Sequence, residues 1–144
     1  MRVILRGGPG KTCTFPSTTV TVGEYAFNKR CVLSVGLNEG LKVLEQNCFS
    51  QSGIRKLVLP SSIESIRAYV FHGCDKLEHA DLRTAHSLKT IGSEAFASCE
   101  VLRRVVLNDG LETICESCFS VSGLTEVSIP GSVRSIEDYA FSDS

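Results

Sequence analysis

The sequence predicts an α/β solenoid of about six stacked units, 22–25 residues each, built from short parallel strands and short helical or 3₁₀ turns. Three observations predict it. Phe27, Phe49, Phe71, Phe96, Phe119 and Phe141 recur at intervals of 22, 22, 25, 23 and 22 residues. Five residues before each Phe stands Val22, Leu44, Ile66, Ile91, Ile114 or Ile136, and three further back Thr19, Leu41, Ile63, Leu88, Leu111 or Val133. Between one Phe and the next runs a phrase that alternates apolar and polar residues, the mark of a strand with one buried face.

The phrase reads "VLSVGL" at 32–37, "IRKLVL" at 54–59, "LEHADL" at 77–82, "LRRVVL" at 102–107 and "LTEVSI" at 124–129. Pro60, Pro130, "NEG" at 38–40 and "NDG" at 108–110 close four of these strands with turn chemistry. The segment around each Phe is too short for a stable helix, so a single helical or 3₁₀ turn is expected to carry the ring inward. A unit of this length cannot bury its own apolar face, so the units must stack. The longest unit gains residues at "RTAHS", 83–87, a loop expected to bulge from the stack.

At the N-terminus, "RGGPGKTCT" (6–14) imitates the end of a phosphate-binding loop. Such a loop needs Gly, four residues, then Gly-Lys-Ser/Thr, with a helix directly behind it to direct amides at the phosphate. Leu5 occupies the first Gly position, and "CTFPSTTVTV" follows with a proline and β-branched residues. In the repeat register Phe15-Pro16 matches Ile129-Pro130, Cys13 matches Val127 and Gly10 matches Leu124. The stretch is therefore expected to be a repeat strand.

The unit written "LKTIGSEAFASCEVLRRVVL" at 88–107, and again "LTEVSIPGSVRSIEDYAF" at 124–141, resembles the BspA-like leucine-rich repeats. The resemblance runs from Phe15 to Phe141 and recurs in every unit. It implies a leucine-rich-repeat solenoid and a non-catalytic protein-protein interaction module, with cell-surface adhesion as the family's common use. An extracellular or surface location follows from the resemblance alone, since "MRVILRGGPG" holds too short an apolar run for a secretion signal.

Composition narrows the alternatives. The formal net charge of −1 supplies no global field for nucleic acid, and no aromatics mark the outward strand positions for base stacking. No run of eighteen apolar residues exists, so no membrane insertion is expected. Seven cysteines, an odd number, argue against a fully paired disulfide framework. Cys115 and Cys118 have redox or zinc spacing, but the repeat puts Cys118 in a small buried slot and Cys115 in an exposed one. Six of the seven are expected inside or at the edge of the core. His72, His79 and His86 fall on a turn, a strand and the inserted loop, so no metal site is expected, nor any catalytic residue or cofactor.

Binding is expected on the outward strand positions, which line up into one continuous face of a solenoid. These are Thr12, Thr14, Ser34, Gly36 and Ser128 together with the proposed partner-binding residues Lys56, Val58, His79, Asp81, Arg83, Arg104, Val106 and Glu126. Lys56, Arg83 and Arg104 form a modest basic cluster there. A protein ligand is the expected partner. An intracellular scaffold using the same face is the alternative, and an enzyme or nucleotide binder the remoter one. Residues 1–144 read as one domain. Neither end looks like a dedicated cap, so the chain is expected to be a segment of a longer array or to associate end to end.

Overall fold

The computed structural model describes the backbone of residues 4–6 and 11 and all atoms of residues 12–144. The expected helical turns are absent among them. Instead, the second residue before and after each spine Phe is left-handed: Tyr25 and Lys29, Asn47 and Gln51, Tyr69 and Gly73, Glu94 and Ser98, Ser117 and Val121, Tyr139 and Asp143, with φ between 52° and 65°. A right-handed helix cannot pass through such residues. The amides are shared out accordingly. Ala26, Asn28 and Arg30 donate to Gly23, Tyr25 and Phe27 three residues back, closing consecutive β-turns. Tyr25, Phe27 and Lys29 donate across to Gln46, Cys48 and Ser50 of the next unit, the middle bond at 2.7 Å. A helix would have spent those alternate amides within one unit and left neighbouring units without a ladder.

The strands, in chain order, are β1 (Ile4–Arg6), β2 (Lys11–Thr14), β3 (Thr21–Val22), β4 (Val32–Gly36), β5 (Val43–Leu44), β6 (Lys56–Val58), β7 (Ser65–Ile66), β8 (His79–Asp81), β9 (Thr90–Ile91), β10 (Arg104–Val106), β11 (Thr113–Ile114) and β12 (Ser135–Ile136). The two-residue strands β3, β5, β7, β9, β11 and β12 form a six-stranded parallel sheet. Of its residues, Val22, Leu44, Ile66, Ile91, Ile114 and Ile136 were legible as inward positions and not as strands; the first five are buried, and Ile136 is 49% exposed.

The strand phrases do not make one continuous face. They form two three-stranded sheets, β1-β2-β4 and β6-β8-β10, with a break between β4 and β6. The phrase at 124–129 forms no strand, a departure from expectation, and Ile129 is 39% exposed where its counterpart Leu107 is 6% exposed. Lys11–Thr14 is a strand, pairing Cys13 with Val35, as the repeat register requires. Residues 7–10 of the phosphate-loop lookalike, Gly10 included, lie outside the described residues. Beside β2, β1 runs antiparallel with Leu5 opposite Cys13, so this edge carries cover that the repeat pattern did not predict.

Between the sheets and turns lies one core. Phe49, Phe71, Phe96 and Phe119 are fully buried and stack face to face in a column that runs from Phe27 to Phe141, with centroid spacings of 5.1–5.8 Å. Phe15 meets the column edge-on, 5.7 Å from Phe27. Three residues after a spine Phe, a small side chain donates to the preceding unit's Phe carbonyl: Cys74 Sγ to Phe49 O at 3.2 Å, Cys99 Sγ to Phe71 O at 3.2 Å, Ser144 Oγ to Phe119 O at 2.8 Å. Ser52 and Ser122 hold the same place but meet Cys74 Sγ and Ser144 Oγ instead, and in the first unit an exposed Arg30 stands there. The 83–87 loop bulges less than expected. Ala85 is fully buried, and Thr84 Oγ1 ties the loop to Leu59 O at 2.8 Å.

Candidate functional site

Parallel pairing without a bulge aligns β6, β8 and β10 residue by residue. Lys56, His79 and Arg104 form one row, Val58, Asp81 and Val106 the next, and Leu57, Ala80 and Val105 point inward between them. Neighbouring strands are about 4.8 Å apart, so each row is a ladder at that spacing. Lys56, Val58, His79, Arg83 and Arg104 are exposed, and Asp81 and Val106 half-buried. Seven of the eight sequence-predicted residues thus come together around a shallow depression of about 260 Å³. The eighth, Glu126, lies across a separate groove from β10. Thr12 and Thr14 on β2 and Ser34 and Gly36 on β4 belong to the other sheet piece.

Within the cluster the charges are not equivalent. Arg83 grips Asp81 with Nη2 at 2.6 Å from Oδ2 and Nε at 3.0 Å from Oδ1, while its own amide donates to Oδ1 at 3.1 Å. These hydrogen bonds, more than the accompanying charge attraction, hold the Asp81 carboxyl below its ordinary range, and Arg83 is raised in return. Arg83 is therefore spoken for. Among the described residues, Lys56 and Arg104 make no ion pair within 4 Å. Lys56 and Arg104 are the free cations of their row, with His79 between them.

Elsewhere the thiols are suited to packing. Burial pushes Cys13 and Cys74 up to about 11, and raises the thiols of Cys48, Cys99 and Cys118 as well. Cys115 is half-buried where exposure was expected, its thiol raised by desolvation and by Glu137. The exposed cysteine is Cys31, which falls four residues after Phe27, one place beyond the small buried slot. The three histidines separate as their elements do: His79 on β8, His86 exposed on the loop, His72 beside Tyr69 on the turn side. There, Tyr69 Oη donates to Glu94 Oε1 at 2.8 Å and His72 Nδ1 lies 3.5 Å from Glu94 Oε2. That inter-unit contact was not foreseen. The shared place of Tyr69 and Glu94, two residues before their Phe, would have shown it.

A family model described as "BspA type Leucine rich repeat region" matches residues 9–86 and 81–144 in six copies. No curated protein matches. Among solved structures, a leucine-rich repeat protein from Eubacterium ventriosum is 22% identical with a TM-score of 0.63, covering 90% of this chain and 42% of its own. The pneumococcal vaccine antigen PcpA is 20% identical with a TM-score of 0.56, covering 92% of this chain and 28% of its own. A leucine-rich cell surface protein from Faecalibacterium prausnitzii is 18% identical with a TM-score of 0.56, covering 98% and 50%. The chain thus spans half or less of each of these structures, and at these identities the likeness is one of fold.

Proposed function

From the premise that the chain belongs to the BspA-type leucine-rich-repeat family, we propose that it is a non-catalytic module that binds a protein through the β6-β8-β10 face, in a surface-exposed protein used for adhesion. Repeat solenoids commonly bind along the face that their stacked strands present. One observation carries the reading: Lys56 and Arg104 flank His79 in one row and, among the described residues, have no acidic partner within ion-pair distance, beside the exposed Val58. Unpaired cations next to an apolar side chain offer both charge steering and a desolvated contact. The surface location rests on likeness to proteins described as a cell surface protein and a vaccine antigen.

The test is a binding screen of the chain against immobilised matrix and host-surface proteins, with a Lys56→Glu/Arg104→Glu variant alongside. Arg83 is left intact, because its charge is already held by Asp81. Binding by the parent and its loss in the folded variant are expected. Equal binding by both would remove this face from the account.

A further inference from the structure

Where the sheet β6-β8-β10 should continue into the fifth strand phrase, a groove of about 700 Å³ opens instead, with Arg103–Leu107 on one wall and Glu126–Pro130 on the other. The backbone beside it is unpaired. Arg104 N–H donates to Glu78 O, and Val106 O accepts from Leu82 N–H at 2.9 Å, so both residues turn their polar groups towards β8. Backbone direction alternates along a strand, which turns the Val105 N–H and C=O into the groove. Neither has a protein partner, and residues 125–129 make no backbone hydrogen bond to β10 among the described residues. The last unit is held elsewhere: by β11 on β12, by the turn bonds Ser117 to Asp138 and Phe119 to Ala140, and by Gly123 N–H to Cys99 O.

We infer that this groove takes an extended acidic peptide of the partner as an added strand on β10, with a carboxylate of the peptide set against Arg104. An open strand edge supplies main-chain bonds for such an addition, and the alternate side chains supply selectivity. A strand added here continues both rows. Its residue level with Arg104 joins the Lys56–His79–Arg104 row and is acidic, and its residue level with Val106 faces outward beside an apolar neighbour. The residue between them points inward and is apolar. The chain itself carries a copy of that pattern: Glu126 takes the Arg104 place one unit later, followed by Val127 inward and Ser128 outward. The groove's lining is charge-balanced, Arg103 and Arg104 against Asp109 and Glu126, so the unpaired Arg104 and this internal copy, not the net charge of the groove, name the occupant.

The second break in the strand face, between β4 and β6, is a worse receptor. Its gap of about 420 Å³ is pinned at both ends, by Arg55 N–H to Leu33 O at 3.3 Å and by Ser61 Oγ to Glu39 Oε2 at 2.9 Å. No such bond crosses the β10 groove between the Gly123 contact and Arg134 N–H to Glu112 O.

The inference rests on the reading that this sheet binds protein. Its test uses the whole chain and a blocked peptide of sequence GTEVSIG, with affinity read by calorimetry and the Val105 amide by hydrogen exchange. Binding is expected to protect that amide. Arg104→Glu, with an unchanged circular dichroism spectrum and melting temperature, should weaken binding tenfold or more. A GTKVSIG peptide should recover it on that variant, and a peptide N-methylated at its central amides should not bind the parent. Absence of binding, binding indifferent to the charge swap, or binding of heparin in place of the peptide would overturn the inference. A Val105 amide already protected in the free chain would also overturn it, because residues 125–129 would then fill the groove themselves. Partner capture that depends on Lys56 while the peptide fails would remove the strand addition and leave the sheet-face reading intact.

Discussion

Phe71 and Phe96 stack with centroids 5.1 Å apart and planes 20° from parallel, although their units are separated by the longest interval in the chain. Part of the extra length is taken up in the 83–87 loop, where Ala85 plugs inward and Arg83 and His86 stay outside, and part between Phe71 and Leu77. The spine thus keeps its spacing although the interval is longer.

Phe96 has stacked neighbours on both sides and no exposed surface. Phe96→Ala should cost about 3–5 kcal/mol, from lost transfer energy and the cavity left behind. Urea denaturation followed by circular dichroism checks it. A loss under about 1 kcal/mol would mean that the column closes over the gap.

Val121 is a β-branched residue held at φ 52°, with 43% of its surface exposed. Left-handed backbone costs such a residue about 1–2 kcal/mol, and little side-chain burial offsets this here. Val121→Asn should therefore stabilise the chain by roughly 0.5–1 kcal/mol, since Asn tolerates that backbone more easily. The same denaturation experiment reads it, and a destabilised variant would place Val121 in a packing role.

Asn108 is fully buried and donates Nδ2–H to Leu88 O at 2.9 Å, tying one unit to the next. Asn108→Leu leaves that buried carbonyl unsatisfied and should cost about 1–3 kcal/mol. The neighbouring turn bond, Leu111 N–H to Asn108 O, survives the change because it uses the backbone. A near-neutral result would mean that water reaches Leu88 O or that losing the buried, unpartnered Asn108 Oδ1 offsets the cost.

The Asp81 carboxyl is depressed below its ordinary value of 3.8 chiefly by the Arg83 hydrogen bonds. A carboxylate lowered on folding contributes stability that is present above the unfolded value and lost as pH falls through the folded one. The contribution therefore fades below pH 3.8. Carbon-detected titration should find the Asp81 midpoint below that value, and Arg83→Ala should bring it back up. An unmoved midpoint would assign the depression to Arg104 instead.

Native thiol labelling at pH 8 should modify Cys31 at once and Cys115 slowly. Cys13, Cys48, Cys74, Cys99 and Cys118 should react only after unfolding, since all five are buried with thiols held in the neutral form. Fast labelling of Cys74 or Cys99 would indicate that the turn column opens locally.

The sequence by itself determined the period, the Phe column and the side of the sheet on which each strand residue stands. Lys56, His79, Asp81 and Arg104 could be assigned outward because a two-residue alternation is a local property, readable one strand at a time. The stacking of units decided the rest. Glu94, Ser98 and Val121 carry no glycine-like signal for a left-handed backbone, which the ladder between units imposes. Nothing in "LTEVSI" distinguishes it from "LRRVVL", yet one phrase lies apart from β10 while the other pairs with β8. Nor does the sequence say that Arg83 turns back onto Asp81 and leaves Lys56 and Arg104 as the free cations of the outward row. Alternation fixes which way a side chain faces. Whether neighbouring strands approach to hydrogen-bond distance depends on how whole units pack against each other, and only the tertiary structure holds that information.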